Sequence, residues 1–421
     1  MMDRRDFLKL AAATGAAVTG PALAYAFDDD FGANERDPSL AVDNPYFFVQ
    51  VQATGGWEPT MLCDPKGNLN QSYGEGDILT AGNIPYAPMG AEWDEFFQTN
   101  FHRMVVVNGV DNQTNAHDAG RRHTASGRLG EGYPALSALA AGYQAPQLPV
   151  SFLTFGGYEM TGGVVAPTRD IDPDRLSGIA YPTLVNPTNV DTSPSYHNGS
   201  SQDLITSART ARLQRQFTNT YLPNRKGRLD TLMTARLGSD ELAKLTELLT
   251  LGGNQEENRI RLAIAAYQAG IGCAANFSRG GFDTHGNHDQ NHRNSMGNLL
   301  NLVNTIWRLV DDAGIADRTF MVMNSDFGRS PDYNGNNGKD HWPITSMICI
   351  SEAIEGNRVV GLTNEQHRPV MLNPSSLQPD DNGVAIQPQN VHRNVRDFLG
   401  MKDSAVDSMF PLVPENDIKF L

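Results

Sequence analysis

Two short stretches of the chain concentrate residue types that hold metals and move protons. Gly280-Gly281-Phe282-Asp283-Thr284-His285 is followed closely by His288, Asp289 and His292, and Gly338-Lys339-Asp340-His341-Trp342-Pro343 sets a carboxylate–imidazole step between a glycine and a tryptophan. Asn324-Ser325-Asp326-Phe327-Gly328-Arg329 adds an aspartate with a nearby arginine, and His117, Asp118, Arg121, Arg122 and His123 form a further group. Carboxylate and imidazole without thiolate suit zinc, manganese or iron, with magnesium or calcium at oxygen-rich positions. A divalent ion in such a set polarises an ester oxygen and lowers the pKa of a bound water or hydroxyl. Arginines beside it clamp an anionic group such as phosphate or sulfate. Each piece alone also has a plainer reading. A single histidine at a strand end is commonly an ordinary hydrogen-bonding residue, His288 and His292 have the spacing of solvated residues at a helix start, and Asp326 can cap a helix or pair with Arg329. Their joint occurrence is what favours a site.

Such a site needs elements that bring distant residues together. Strands are predicted at Tyr46–Val51, Met104–Val107, Val150–Leu153, Cys273–Phe277 and Thr319–Met323. Helical patterning occupies 118–142, 204–221, 226–236, 239–251 and 255–270. It is clearest where Met296, Leu299, Leu300, Val303, Ile306, Trp307 and Val310 recur at three- and four-residue spacings. Strands alternating with helices indicate an α/β fold with a largely parallel sheet between helical layers. Ligands in such folds gather at the carboxyl ends of strands, and the polar clusters follow predicted strands. With Glu58 and Asp64 after the first strand, four strand ends point carboxylates and imidazoles at one pocket. Residues 160–225, rich in Pro, Thr, Asn and Ser, read as an irregular excursion of the kind that covers a functional face.

The N-terminus carries an address. Asp3-Arg4-Arg5-Asp6-Phe7-Leu8-Lys9 precedes a short Ala/Gly-rich apolar run, and Ala22-Leu23-Ala24 and Ala24-Tyr25-Ala26 offer small-x-small cleavage sites. Residues 1–26 thus read as a twin-arginine export signal, with the twin-arginine translocase as partner and the periplasm or exterior as destination. The apolar run falls short of the roughly 20 residues of a membrane span, so no stable membrane insertion is expected. Residues 27–45 are acidic and aperiodic, a linker, and residues 46–421 form the folded body. A formal charge of −15 argues against a nucleic-acid partner. Cys63, Cys273 and Cys349 are too few and scattered for a disulfide framework, leaving room for a single bridge.

Taken with their order and spacing, these segments resemble the secreted bacterial DUF1501 proteins, related to the sulfatases and alkaline phosphatases. The matching stretches are Gly55-Gly56 with Asp64-Pro65-Lys66, His117 through Gly127, Gly281–His285, Asp326-Phe327-Gly328-Arg329-Ser330-Pro331 and Gly338–Pro343. The resemblance implies a three-layer α/β/α sandwich, alkaline-phosphatase-like, with a metal centre at the strand ends. Sulfatases carry a Cys or Ser nucleophile, an Arg four residues on and a Thr-Gly-Arg or Thr-Gly-Lys further on; the same register here gives His117, Arg121 and Ser126-Gly127-Arg128. Phe327 stands where the superfamily has a second metal ligand, so His341 or Asp340 would have to fill that gap. Histidine at the nucleophile position allows three readings: a metal ligand or phosphate contact, which is preferred, a phosphohistidine-type nucleophile, or loss of catalysis. The resulting expectation is a metal-dependent hydrolase of phosphate or sulfate esters. Asp283, His285, Asp326, Asp340 and His341 would hold a divalent metal, zinc first, and His117, Arg121 and Arg329 would serve the anionic ester. The alternatives are a metal- or glycan-binding envelope protein that kept the fold without the chemistry, and a surface assembly component.

Overall fold

The computed structural model describes residues 44–169, 176–187, 189–222, 225–226, 229, 239–249, 251–412 and 417–421. The export signal at 1–26, nearly all of the linker at 27–45 and most of the helical stretch read at 226–236 lie outside the described residues.

The strand that organises the fold is β1, Phe47–Ala53, buried along its whole length. Its alternation serves two cores. Phe47, Val49, Val51 and Ala53 enter one, while Phe48 enters the other. Gln50 and Gln52 follow Phe48 on its face of the strand, as the two-residue period requires. They spend their amides on the chain opposite, Gln50 on Ala125 O at 3.2 Å and Gln52 on Arg121 O at 3.1 Å. Further strands are β2 (Leu79–Ala81), β3 (Ile84–Tyr86), β4 (Met104–Asp111), β5 (Phe152–Phe155), β6 (Pro167–Arg169) and β7 (Ala274–Arg279). They are followed by β8 (Thr319–Ser325), β9 (Gly328–Tyr333), β10 (Lys339–Trp342), β11 (Ile344–Ile350) and β12 (Arg358–Val360).

Eight of these form the main sheet in the order β12-β4-β11-β8-β1-β7-β5-β6. All its pairings are parallel except those of β11, which runs antiparallel between β4 and β8. β11 reaches its place straight from the β9–β10 hairpin, without a crossover helix, which is the condition for an antiparallel neighbour. The sheet is covered on both faces. Helices Ala91–Asn100, Gln255–Gln268 and His288–Asp312 bury Trp93, Phe96, Ile260, Met296, Leu300 and Trp307 on one side. Helices Leu136–Gln144, Pro388–Phe398 and Ala405–Met409 bury Leu136, Leu139, Val391, Val395 and Val406 on the other. The architecture is the expected α/β sandwich with a largely parallel sheet.

Three local readings change. The helix expected over 118–142 is two helices, His117–Ser126 and Leu136–Gln144, because Gly127 takes φ +76° and ends the first. The 160–225 excursion contains β6 and helices Leu176–Ala180 and Gly199–Thr218. All three cysteines are free and buried, so no bridge forms.

Candidate metal centre

The carboxyl ends of β1, β7 and β8 meet at one edge of the sheet, and the chain turns there on glycines. Gly55 has φ +118°, and a Cβ on it would stand 2.6 Å from the Asp283 nitrogen. Only glycine lets the turn after β1 lie against the turn after β7. Immediately after β8, Asp326 is 2% exposed. Its Oδ2 accepts from the Gly55 N–H at 2.9 Å and faces His117 Nδ1 at 3.1 Å. Burial pushes this carboxyl up, against the Gly55 N–H and His117, which hold it down. His117 opens its helix after β4.

Three imidazoles and one carboxylate converge. His285 Nε2 lies 3.0 Å from Asp283 Oδ1, His341 Nε2 lies 3.1 Å from the same oxygen, and His117 Nε2 lies 3.6 Å from Asp283 Oδ2. His285 Nε2 and His341 Nε2 are 3.0 Å apart. His117, Asp283 and His341 offer ligand atoms that all lie within 4.8 Å of one another.

The other ring nitrogens point away from the centre, each to an acceptor: His117 Nδ1 to Asp326, His285 Nδ1 to Asp340 Oδ1 at 2.9 Å, and His341 Nδ1 to the Asn115 carbonyl at 2.8 Å. A carbonyl or ionised carboxylate only accepts, so each Nδ1 carries a proton, and each Nε2 faces inward with a lone pair or a second proton. Lone pairs facing each other and a carboxylate repel unless a cation, metal or proton, sits among them. Nδ1 anchored to carboxylate or carbonyl with Nε2 free is the arrangement that orients metal-binding imidazoles.

The remaining predicted residues occupy different stations. Asp326 and Asp340, expected as ligands, stand behind the rings of His117 and His285. Arg329, expected to clamp an anion, is wholly buried. Its nitrogens donate to Gly56 O at 2.9 Å, Lys339 O at 3.0 Å, Gly55 O, and Asp283 Oδ1 at 2.8 Å. The Asp283 carboxyl, pushed up by burial, is brought down to about 2 by Arg329 and His341. Arg121 is half-exposed and pairs with Asp118 at 2.7 Å. Phe327, 0% exposed, packs its ring against those of His117 and His341 at centroid distances of 4.8 and 4.4 Å. It fixes two imidazole planes and offers no ligand atom.

The expected solvated role of His288 and His292 is overturned: both are 0% exposed. They lie on the first turns of helix His288–Asp312, beneath the centre, with the equally buried Glu58. Glu58 thus belongs to this inner set and not to the exposed pocket. Asp64 is likewise turned aside, held by Lys66 at 3.0 Å and by the Thr363 hydroxyl. The Asn115 carbonyl is a site group without any signal in the sequence, since a main-chain oxygen has no residue type.

Residues 197–380 match the family model described as "Protein of unknown function (DUF1501)". That region contains Asp283, His285, Asp326, Asp340 and His341, whereas His117 lies before it. Residues 1–21 match the twin-arginine translocation pathway signal sequence, so the chain is exported to the periplasm or beyond. No helix among the described residues is long and apolar enough to cross a membrane. Comparison with curated proteins gives no match. Among solved structures, Ps i-CgsB is similar over 85% of this chain and 72% of its own, at 8% identity and TM-score 0.39. The PsFucS1 sulfatase from Pseudoalteromonas sp. is similar over 91% and 74%, at 10% identity and TM-score 0.34. A TAB5 alkaline phosphatase mutant with Mg bound in its M3 site is similar over 76% and 94%, at 10% identity and TM-score 0.30.

Proposed function

We propose that the protein is an exported metal-dependent hydrolase of phosphate or sulfate esters. The observation that carries this reading is the convergence of His117, His285 and His341 Nε2 atoms on the Asp283 carboxylate, each ring anchored through Nδ1. Three imidazoles and one carboxylate fit a divalent ion, zinc first, with manganese, magnesium or calcium as alternatives. A bound ion would supply Lewis-acid polarisation of an ester oxygen.

The chain's own residues do the rest. Asp283 is kept ionised by Arg329, whose guanidinium donates to it at 2.8 Å, so it offers a charged oxygen throughout the neutral range. Asp326 and Asp340 hold the His117 and His285 rings in one tautomer. Arg121 is bonded to a largely exposed Asp118, a contact worth about 1 kcal/mol or less. Arg121 can therefore exchange that partner for an anionic ester group, a role the buried Arg329 does not share.

One observation favours a second reading, a non-catalytic metal- or glycan-binding envelope protein. Two hydroxyls on the helix that His117 opens are turned into that helix, Thr124 Oγ1 to Gly120 O at 3.1 Å and Ser126 Oγ to Arg122 O at 2.8 Å. Neither is presented as a nucleophile. Turnover of aryl phosphates, phosphodiesters and aryl sulfates by zinc-loaded mature protein separates the readings. Chelator-sensitive turnover lost in His341→Ala supports the hydrolase. Stoichiometric metal with no turnover of any of the three supports the binding protein.

A further inference from the structure

Beneath the exposed centre, a wholly buried set of hydrogen bonds fixes one proton after another. The Glu58 main-chain N–H donates to His292 Nε2 at 2.8 Å. A backbone amide only donates, so the His292 proton sits on Nδ1. That N–H faces Thr284 Oγ1 at 3.4 Å, which receives it. The single Thr284 hydroxyl proton then goes to its shortest partner, His288 Nδ1 at 2.7 Å, in preference to Phe282 O at 3.3 Å. His288 is left with its proton on Nε2, directed at Glu58 Oε2 3.9 Å away. The opposite tautomer would aim a buried lone pair at a buried carboxylate. Burial keeps both rings neutral, His288 down at about 4 and His292 well below its ordinary range.

We infer that Glu58, Thr284, His288 and His292 form a proton-ordered ring, hydrogen-bonded except across the 3.9 Å from His288 Nε2 to Glu58 Oε2, that positions the turn bearing Asp283 and His285 and the β9–β10 hairpin bearing Asp340 and His341. Thr284 sits between Asp283 and His285 with its side chain in the ring. Lys339 adjoins Asp340 and His341; its Nζ lies 3.4 Å from Glu58 Oε2, and its main-chain N–H donates to Thr284 O at 3.1 Å. The His288 N–H donates to Asn337 O at 2.8 Å, fastening the second turn to the same helix start. Outward-facing residues of both turns build the centre, and inward-facing residues of the same turns are tied to the ring. Glu58 and Thr284 are positioning residues that act through those turns.

The consequence for metal rests on the proposed ligand set; the proton order does not. Long-range proton–nitrogen NMR of the metal-free, full mature protein should show His288 as the Nε2–H tautomer and His292 as Nδ1–H. Thr284→Val removes the hydroxyl and should scramble the His288 tautomer and weaken zinc binding by about 10–100-fold. Thr284→Ser keeps the hydroxyl and should retain both within a few-fold. His288 found as Nδ1–H in the wild type overturns the ring. So does a Thr284→Val protein unchanged in tautomer and affinity, or a Thr284→Ser protein impaired as badly as Thr284→Val. If Thr284→Val does not fold, the wild-type tautomers and Thr284→Ser still decide. A wild type that binds no zinc removes the metal reading, and the tautomers alone then judge the ring.

Discussion

The ring of His117 and the carboxylate of Asp326 meet at 3.1 Å across 209 residues of sequence, one at a helix start after β4 and the other immediately after β8. A buried acceptor behind Nδ1 raises the basicity of Nε2 and fixes the direction in which it points. Asp326→Asn keeps the shape and removes the charge. It should lower zinc affinity about 10–100-fold in competition titrations. Asp340→Asn should cost only a few-fold, because Asp340 is largely exposed and its contact with His285 is screened. Equal effects, or none, would show that these carboxylates do not govern the rings.

Arg329 and Arg121 should separate cleanly in their variants. Removing the guanidinium from a fully buried position strands three carbonyl acceptors and the Asp283 carboxylate. Arg329→Lys cannot reproduce the planar fork and should cost about 3–5 kcal/mol in urea denaturation. Arg121→Ala should leave stability within about 0.5 kcal/mol and raise KM for an anionic ester. A stable Arg329→Lys protein with raised KM would restore Arg329 as the anion contact.

Acid stability follows from buried neutral histidines. Burial lowers His392 from its ordinary 6.5 to about 3 while its Nε2–H donates to Thr124 O at 2.9 Å, and burial lowers His288 to about 4. The unfolded chain therefore binds more protons below pH 6.5. The stabilisation is complete above that value and is lost as pH falls toward 4 and then 3. Tm should be flat near neutrality and decline from about pH 6.5 downward. His392→Gln, which can still donate to Thr124, should make that decline shallower; an unchanged slope would place the titration elsewhere.

Gly55→Ala tests the glycine turn. A methyl group at φ +118°, 2.6 Å from the Asp283 nitrogen, must push the β7 turn outward. Stability should fall by about 1–3 kcal/mol, and zinc affinity should fall with it. Stability lost at unchanged affinity would mean that Asp283 does not depend on this contact.

The sheet and its helical layers were legible because β1, β4, β7 and β8 are apolar runs separated by amphipathic helices, most plainly the one carrying Met296, Leu300 and Trp307. β11 was not, since an antiparallel insertion has no flanking helix to announce it. Asp283, His285 and His341 stand out by type and by their place after strands or in the following hairpin. What sequence could not assign is station. Asp326 and Asp340 look like ligands because carboxylates often are, yet burial and the direction of an imidazole nitrogen set them behind the rings. His288 and His292 look solvated because their helix starts beside a polar turn, and only the packing of that turn over Glu58 encloses them. Arg329 resembles an anion clamp until its three nitrogens are seen to be engaged within the fold.

Elemental analysis of the exported, purified protein and of its His117→Ala and His341→Ala variants tests the centre most directly. One divalent metal ion per chain in the wild type, lost from both variants while they stay folded, is the predicted result. A folded wild type without bound metal, or variants that retain the wild-type content, would contradict the account.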